Sequence, residues 1–182
     1  MHPCIISAEH TRNEAQEQSK PMSPVKYIER TRETYDKLGY PPYRWFQAES
    51  APAFTPVTKP LAESRLGMIS TAGTYLQGQV AYYYKDDTSI RAIPKDAPTD
   101  KIRFSHITEN YLVEARQDTG TVFPLQSLSR LEEEGFIGEL AKEYYACMGG
   151  IYSQNRVVQE LIPNLEAVIL KQDLDLLLLV PL

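Results

Sequence analysis

The sequence predicts an α/β fold, and three observations predict it. The first lies in the last third of the chain. Gly149-Gly150 leads into a helical pattern over Ser153–Lys171, with Val157, Val158, Leu161, Leu165, Val168 and Ile169 on one face, and the apolar run Leu176–Val180 follows. The second is Arg65–Ser70, a β-type run that ends in the small-residue turn Ser70-Thr71-Ala72-Gly73-Thr74. The third is a helical stretch over Pro124–Glu134, with Leu125, Leu128 and Leu131 at three-residue spacing, followed by a strand-like run over Ile137–Met148. Strand, helix and strand in succession make one crossover step of a parallel sheet. The reading is therefore a parallel or mixed sheet with flanking helices, Rossmann- or flavodoxin-like, incomplete at its C-terminus.

The remaining elements follow from local signals. Residues 1–23 are polar and read as a disordered tail or a mis-assigned start, with Met22 as the alternative initiator. Residues 24–182 read as one α/β domain, the N-terminal part of a larger one. Val25–Leu38 is helical, with Ser23 as cap, Pro24 in the first turn and Gly39 as the stop. Tyr40–Phe46 is extended and aromatic and is expected to pack on the body. Pro52, Pro56 and Pro60 mark a loop. Gln79–Tyr84, Ser89–Ile93 and Lys101–Phe104 are strand-like, and Arg116–Gly120 is a turn. Pro163 should kink or restart the last helix. The run Leu176–Val180 is apolar throughout, as a central buried parallel strand reads.

The chain has 182 residues, 42% of them hydrophobic and 24% charged, enough for one domain with a core. A net charge of −5 argues against the cationic surface that nucleic-acid binding needs. No run approaches the roughly 20 apolar residues of a membrane helix. Cys4 and Cys147 make no disulfide framework and no secretory signal is evident, so a reducing, cytoplasmic setting is expected. His2, His10, His106 and the cysteines show no metal-ligand spacing.

Few residues announce chemistry. Ser70-Thr71-Ala72-Gly73 is a tight turn, with an anion cradle of backbone N–H groups as the alternative. Ser105-His106 follows a strand, and His106 is a candidate proton-transfer group beside the commoner structural role. Arg116 and Asp118 sit in a polar turn, where an exposed ion pair is the simple explanation. Cys147 precedes Gly149-Gly150; a helix beginning there would acidify it, and a buried inert thiol is the preferred reading.

The ordered set of short motifs carries more than any one of them. Arg65-Leu66-Gly67-Met68-Ile69-Ser70-Thr71-Ala72-Gly73 is followed by Phe104-Ser105-His106-Ile107, Arg116-Gln117-Asp118 and Val122-Phe123-Pro124-Leu125. Gly135-Phe136-Ile137-Gly138, Met148-Gly149-Gly150 and Asp175–Pro181 complete the series. Over roughly residues 25–182 it resembles the selenoprotein B family of glycine, sarcosine, betaine and D-proline reductases, most closely a shorter branch of it. The resemblance implies an oxidoreductase that cleaves a carbon–nitrogen bond reductively, with dithiol/disulfide chemistry and a disulfide as acceptor. It implies a small amine or amino-acid substrate, a partner reductase subunit and a thiol electron donor. It also implies a selenocysteine just beyond Leu182, so that the chain lacks its reactive atom and is inactive as it stands. Gly73, Arg116 and Gly149 are carried over as substrate-binding positions, and His106, Asp118 and Cys147 as catalytic candidates. Two other readings stand beside this one: a non-catalytic small-molecule-binding or regulatory α/β domain, and a thiol enzyme using Cys147.

Overall fold

A computed structural model describes residues 24–182 apart from Tyr43, Trp45, Phe54, Glu109 and Tyr111. The expected tail, its alternative start and Ser23 lie outside the described residues. Elements in chain order are α1 (Tyr27–Lys37), β1 (Arg65–Ser70), β2 (Thr74–Leu76), β3 (Arg91–Pro94), β4 (Ile102–Phe104), α2 (Val113–Gln117), α3 (Leu125–Glu133), β5 (Glu139–Leu140), β6 (Glu143–Ala146), α4 (Gln154–Arg156), α5 (Ile162–Ile169) and β7 (Leu176–Val180). The chain divides into two compact units, residues 1–47 and 48–182.

In the first unit, α1 begins at Tyr27 with Lys26 before it, so Pro24 precedes the helix instead of occupying its first turn. Gly39, at φ +71°, closes it with N–H to Asp36 O, as a C-terminal glycine should. Tyr40 and Phe46 are both mostly solvent-exposed, and Tyr43 and Trp45 of the same stretch lie outside the described residues.

The second unit is built around β1. It pairs in parallel with β7 along one side and with β5 and then β6 along the other. β3 adds antiparallel to β6, so the sheet is mixed, in the order β3–β6–β1–β7, with helices against it. The fold is α/β. β2 and β4 form a separate antiparallel ladder.

Alternation along β1 explains the two cores. Leu66 and Met68 face one side, where they meet Phe123, Leu140 and Tyr144, with Leu176, Leu178 and Val180 packed against them. Ile69 faces the other side, with Tyr145, Cys147 and Leu161, covered by Leu165 and Val168 of the last helical run. Gly67 stands where a Cβ would lie 2.3 Å from Leu174, so the chain entering β7 can lie tight against β1.

Several expectations shift. Gln79–Tyr84 forms no strand. Tyr82 turns inward to donate its hydroxyl to Ala146 O at 2.6 Å, while Tyr83 and Tyr84 stay exposed. A side chain used to anchor a loop takes the place of a backbone ladder. Ile137–Met148 is two short strands separated at Ala141-Lys142. The last helix is continuous from Gln154 to Gln172, and Pro163 is accommodated by a π-helical stretch at Val157–Leu161 and not by a break. A proline lacks the N–H for one helical bond, and a wider turn before it absorbs the mismatch. β7 is parallel, as expected, but among the described residues it lies at the edge of the sheet, paired with β1 alone. Its alternate residues Leu177 and Leu179 are exposed, so the uniform apolar run misled about centrality.

Candidate active site

In a sheet of this type the C-terminal strand ends are where loops converge. Here the parallel strands β1 and β7 end together. Thr71 N donates to Val180 O at 3.0 Å, and Leu182 N donates to Thr71 Oγ1 at 2.9 Å. Thr71 therefore ties the backbone that leaves β7 to the end of β1.

Gly149 fills the third side. A Cβ there would lie 2.9 Å from both Leu182 O and Thr71 O, and 3.1 Å from His106 Nε2. A side chain would force these groups apart, so glycine permits the approach. Gly150 carries the same theme, since its Cβ would meet Ile107 at 2.1 Å.

The loop over this junction is held by Gly73. Its φ is +64°, and a Cβ would sit 2.0 Å from Ser105 O. Gly73 O accepts from Ser105 N and Gly73 N donates to Cys147 O, each at 3.0 Å. Ser105 Oγ also donates to Tyr82 O at 3.0 Å, which links the tyrosine loop to the same place. The amides of Thr71, Ala72 and Gly73 are all engaged, with Ala72 N donating to Ser70 Oγ. Tight-turn geometry therefore uses the N–H groups that an anion cradle would need.

His106 is buried on this loop. Thr108 N donates to Nδ1 at 3.1 Å, and Thr108 Oγ1 lies 2.7 Å from the same nitrogen. A backbone N–H donates to an unprotonated ring nitrogen, so this contact favours the tautomer with the hydrogen on Nε2. That nitrogen is the one on the Gly149 side, 3.1 Å from where a Cβ there would lie.

The structure thus brings together Gly73, His106 and Gly149, three of the six positions singled out from sequence. Asp118 is turned elsewhere. Its carboxylate accepts from Gly120 N at 2.8 Å and lines a polar cleft of about 240 Å³ with Thr99, Phe123 and Gln126. Arg116 is exposed and lies in α2 instead of in a turn. Cys147 is buried against Ile69, Tyr145 and Leu161, and that burial pushes its thiol up to about 11. No helix begins near it. The helix starts seven residues later at Gln154; Ser153 caps it by accepting from Arg156 N, and the Asp86 carboxylate holds the segment before it by accepting from Tyr152 N and Ser153 N. Among the described residues no group of His, Cys, Asp and Glu is placed to hold a metal. Thr71 and Thr108 were not singled out. Their roles depend on long-range placement and on one backbone N–H, for which the sequence carries no spacing signal.

A cleft of about 520 Å³ lies between the Lys95–Asp100 loop and α3, lined by charged and polar side chains that include Lys95, Asp96, Arg130 and Glu133. No helix among the described residues is long and apolar enough to cross a membrane.

These features define an α/β domain whose parallel strands deliver backbone to a glycine-lined junction beside a buried histidine. The chain is 29% identical over 128 residues to the D-proline reductase subunit gamma of Acetoanaerobium sticklandii, across 70% of this chain and 52% of that protein. The similarity relates the chain to a reductase, and the chain spans about half the length of that relative. No family model and no solved structure matches it.

Proposed function

We propose that this chain is the scaffold part of a selenoprotein B-type reductase subunit, which cleaves a carbon–nitrogen bond of a small amine or amino acid. The observation that carries the reading is the junction at Leu182, where Thr71, Gly149 and His106 converge on the backbone leaving β7. The relative's description as a D-proline reductase subunit supports it.

In this reading a selenocysteine, or a cysteine in its place, directly follows Leu182. Such a residue supplies a selenolate nucleophile and a redox couple. The chain's own residues fit that position. Thr71 Oγ1 fixes the backbone at Leu182, which limits where the next side chain can point. Gly149 leaves room beside it. His106 Nε2–H offers a hydrogen-bond donor there, and donors to an anion favour its charged form. Gly73 holds the loop that carries His106. The substrate, a partner reductase subunit and a thiol electron donor belong to the same proposal.

The test is the nucleotide sequence after the Leu182 codon. A UGA followed by an open frame with a nearby cysteine supports the reading, and UAA or UAG overturns it. The purified 182-residue chain should show no dithiol-dependent substrate cleavage.

A second reading, a non-catalytic small-molecule-binding or regulatory domain, draws on the edge position of β7. Ligand binding without turnover by the complete gene product distinguishes it.

A further inference from the structure

We infer that Asp175 is a positioning residue: its carboxylate sets the register of β7 and so decides where Leu182 lands at the strand-end junction. That this place matters for chemistry rests on the functional reading above; the register itself does not. The apolar run cannot set the register alone. A slip of one residue would swap the two faces of the strand, but a slip of two keeps them. Leu176-Leu177-Leu178-Leu179-Val180 presents nearly the same side chains after such a slip.

One slip sets Leu178, not Leu176, opposite Leu66. Leu176, Leu178, Val180 and Leu182 would then replace Leu174, Leu176, Leu178 and Val180 against the first core. Leu176 would stand over Gly67 as Leu174 now does. Val180 O accepts from Thr71 N, so even-numbered residues bond to β1, and Pro181, at an odd position, would cost no ladder bond. The link from the last helix would only lengthen. The opposite slip would shorten that link from the three residues between Gln172 and Leu176 to one, against the anchor of Gln172 Nε2, which donates to Glu143 O at 3.0 Å. Packing and topology therefore leave the first slip open. It would draw Leu182 back from Thr71 and Gly149 by about 6.6 Å, at ~3.3 Å per residue of a parallel strand.

Asp175 closes that slip. It stands opposite Arg65, one step before the first pair of the ladder. Asp175 N donates to Arg65 O at 3.0 Å, and the carboxylate accepts from Arg65 N at 2.9 Å and from Lys59 Nζ at 2.6 Å. Lys59, with Arg65 N, holds the carboxyl below the usual carboxylate range, so the acceptor is charged at neutral pH. In the slipped strand Leu177 would stand at this place, with no side-chain acceptor for either donor. At the other end Thr71 Oγ1 accepts from Leu182 N, a bond that any backbone amide makes. Thr71 fastens the strand without choosing its register.

The test is the pattern of cross-strand backbone NOEs in the ¹⁵N,¹³C-labelled full chain. The wild type should show Gly67 against Leu177 and Ile69 against Leu179 alone. Asp175→Ala should shift the balance at least about 10-fold toward the slipped form and show a second set, with Ile69 against Pro181. A structural role alone would lower the urea midpoint and leave one pattern. Asp175→Leu with Leu177→Asp moves the acid by two residues at unchanged composition, and the register should follow it, with Ile69 against Pro181. Glu139→Gln, which breaks the neighbouring ion pair with Arg65, should keep the wild-type pattern. A single wild-type pattern in Asp175→Ala, a double variant that keeps Ile69 against Leu179, or slippage in Glu139→Gln overturns the proposal. The double variant decides also where Asp175→Ala does not fold. These outcomes concern register alone, so the reading tested by the codon after Leu182 stands or falls apart from them.

Discussion

Replacing Gly73 by alanine isolates the contact on which the strand-end junction depends. Two glycines of the second unit share nearly the same left-handed backbone, Gly73 at φ +64° and Gly135 at φ +75°. An alanine at either carries about 1–2 kcal/mol of conformational strain. They differ in surroundings. Nothing lies within 4 Å of a Cβ at Gly135, whereas at Gly73 it would fall 2.0 Å from Ser105 O and 2.9 Å from Ser105 C. Those atoms are backbone and cannot rotate away. Relieving the clash means displacing the 105–108 loop, a change of the overpacking kind that costs about 1–3 kcal/mol. The expected losses are thus about 1–2 kcal/mol for Gly135→Ala and about 2–5 kcal/mol for Gly73→Ala. Urea unfolding followed by far-ultraviolet circular dichroism measures both. At this chain length the Gly73 variant should melt at least about 2 °C below the Gly135 variant. The His106 ring resonances should also move in Gly73→Ala and stay in place in Gly135→Ala. Equal destabilisation within about 0.5 kcal/mol, with unmoved His106 signals, would refute the claim that this close approach holds the loop.

Three further outcomes follow from the same structure. Cys147, with its thiol pushed up to about 11 by burial, should resist iodoacetamide at pH 8 in the native protein and react once the chain is unfolded in urea, as peptide mass spectrometry would show; fast native labelling of Cys147 contradicts this burial. Glu160 is held down to about 2 from its ordinary 4.5, chiefly by hydrogen bonds from Arg156 and Thr88. A depressed acid stabilises the fold above its unfolded pKa and loses that contribution as pH falls, so the urea midpoint should drop between pH 4.5 and 2 and drop less in Glu160→Gln; identical pH profiles would remove Glu160 from the account. Tyr82→Phe should cost about 1–3 kcal/mol, because Ala146 O then loses its buried donor, and a change under about 0.5 kcal/mol would mean the loop is anchored otherwise.

How much of this was legible in the sequence depends on the range of the physics involved. β1 and α3 were readable because periodicity and end signals are local: Arg65–Ser70 matches the observed strand, and Gly135 stops α3 in the left-handed conformation expected of it. Gln79–Tyr84 was misread because β-propensity describes a surface to pack on, and here Tyr82 packs singly against β6 with Arg91 stacked on its ring. The edge position of β7 was hidden because an apolar run is the same string whether one side of the strand is paired or both are. At the site, Gly73 and Gly149 stood out as glycines after strands. Thr108, which fixes the His106 tautomer, and Thr71, which holds Leu182, act through contacts that no spacing rule encodes.

The tautomer is the feature that gives the junction a direction. Thr108 N–H donates to Nδ1, which favours the tautomer with the hydrogen on Nε2, the nitrogen on the Gly149 side. A neutral donor can hold an anion by a hydrogen bond without releasing its own proton to it, a different role from that of a general base. Thr108→Val separates the hydroxyl contact from the amide contact, because it removes Oγ1 and keeps the backbone N–H. It should leave the His106 ring neutral with its hydrogen on Nε2, which ¹⁵N chemical shifts of the imidazole report directly. A shift pattern showing the hydrogen on Nδ1, in the wild type or in this variant, would show that the Thr108 amide does not set the ring, and the assignment of Nε2 as donor would fall with it.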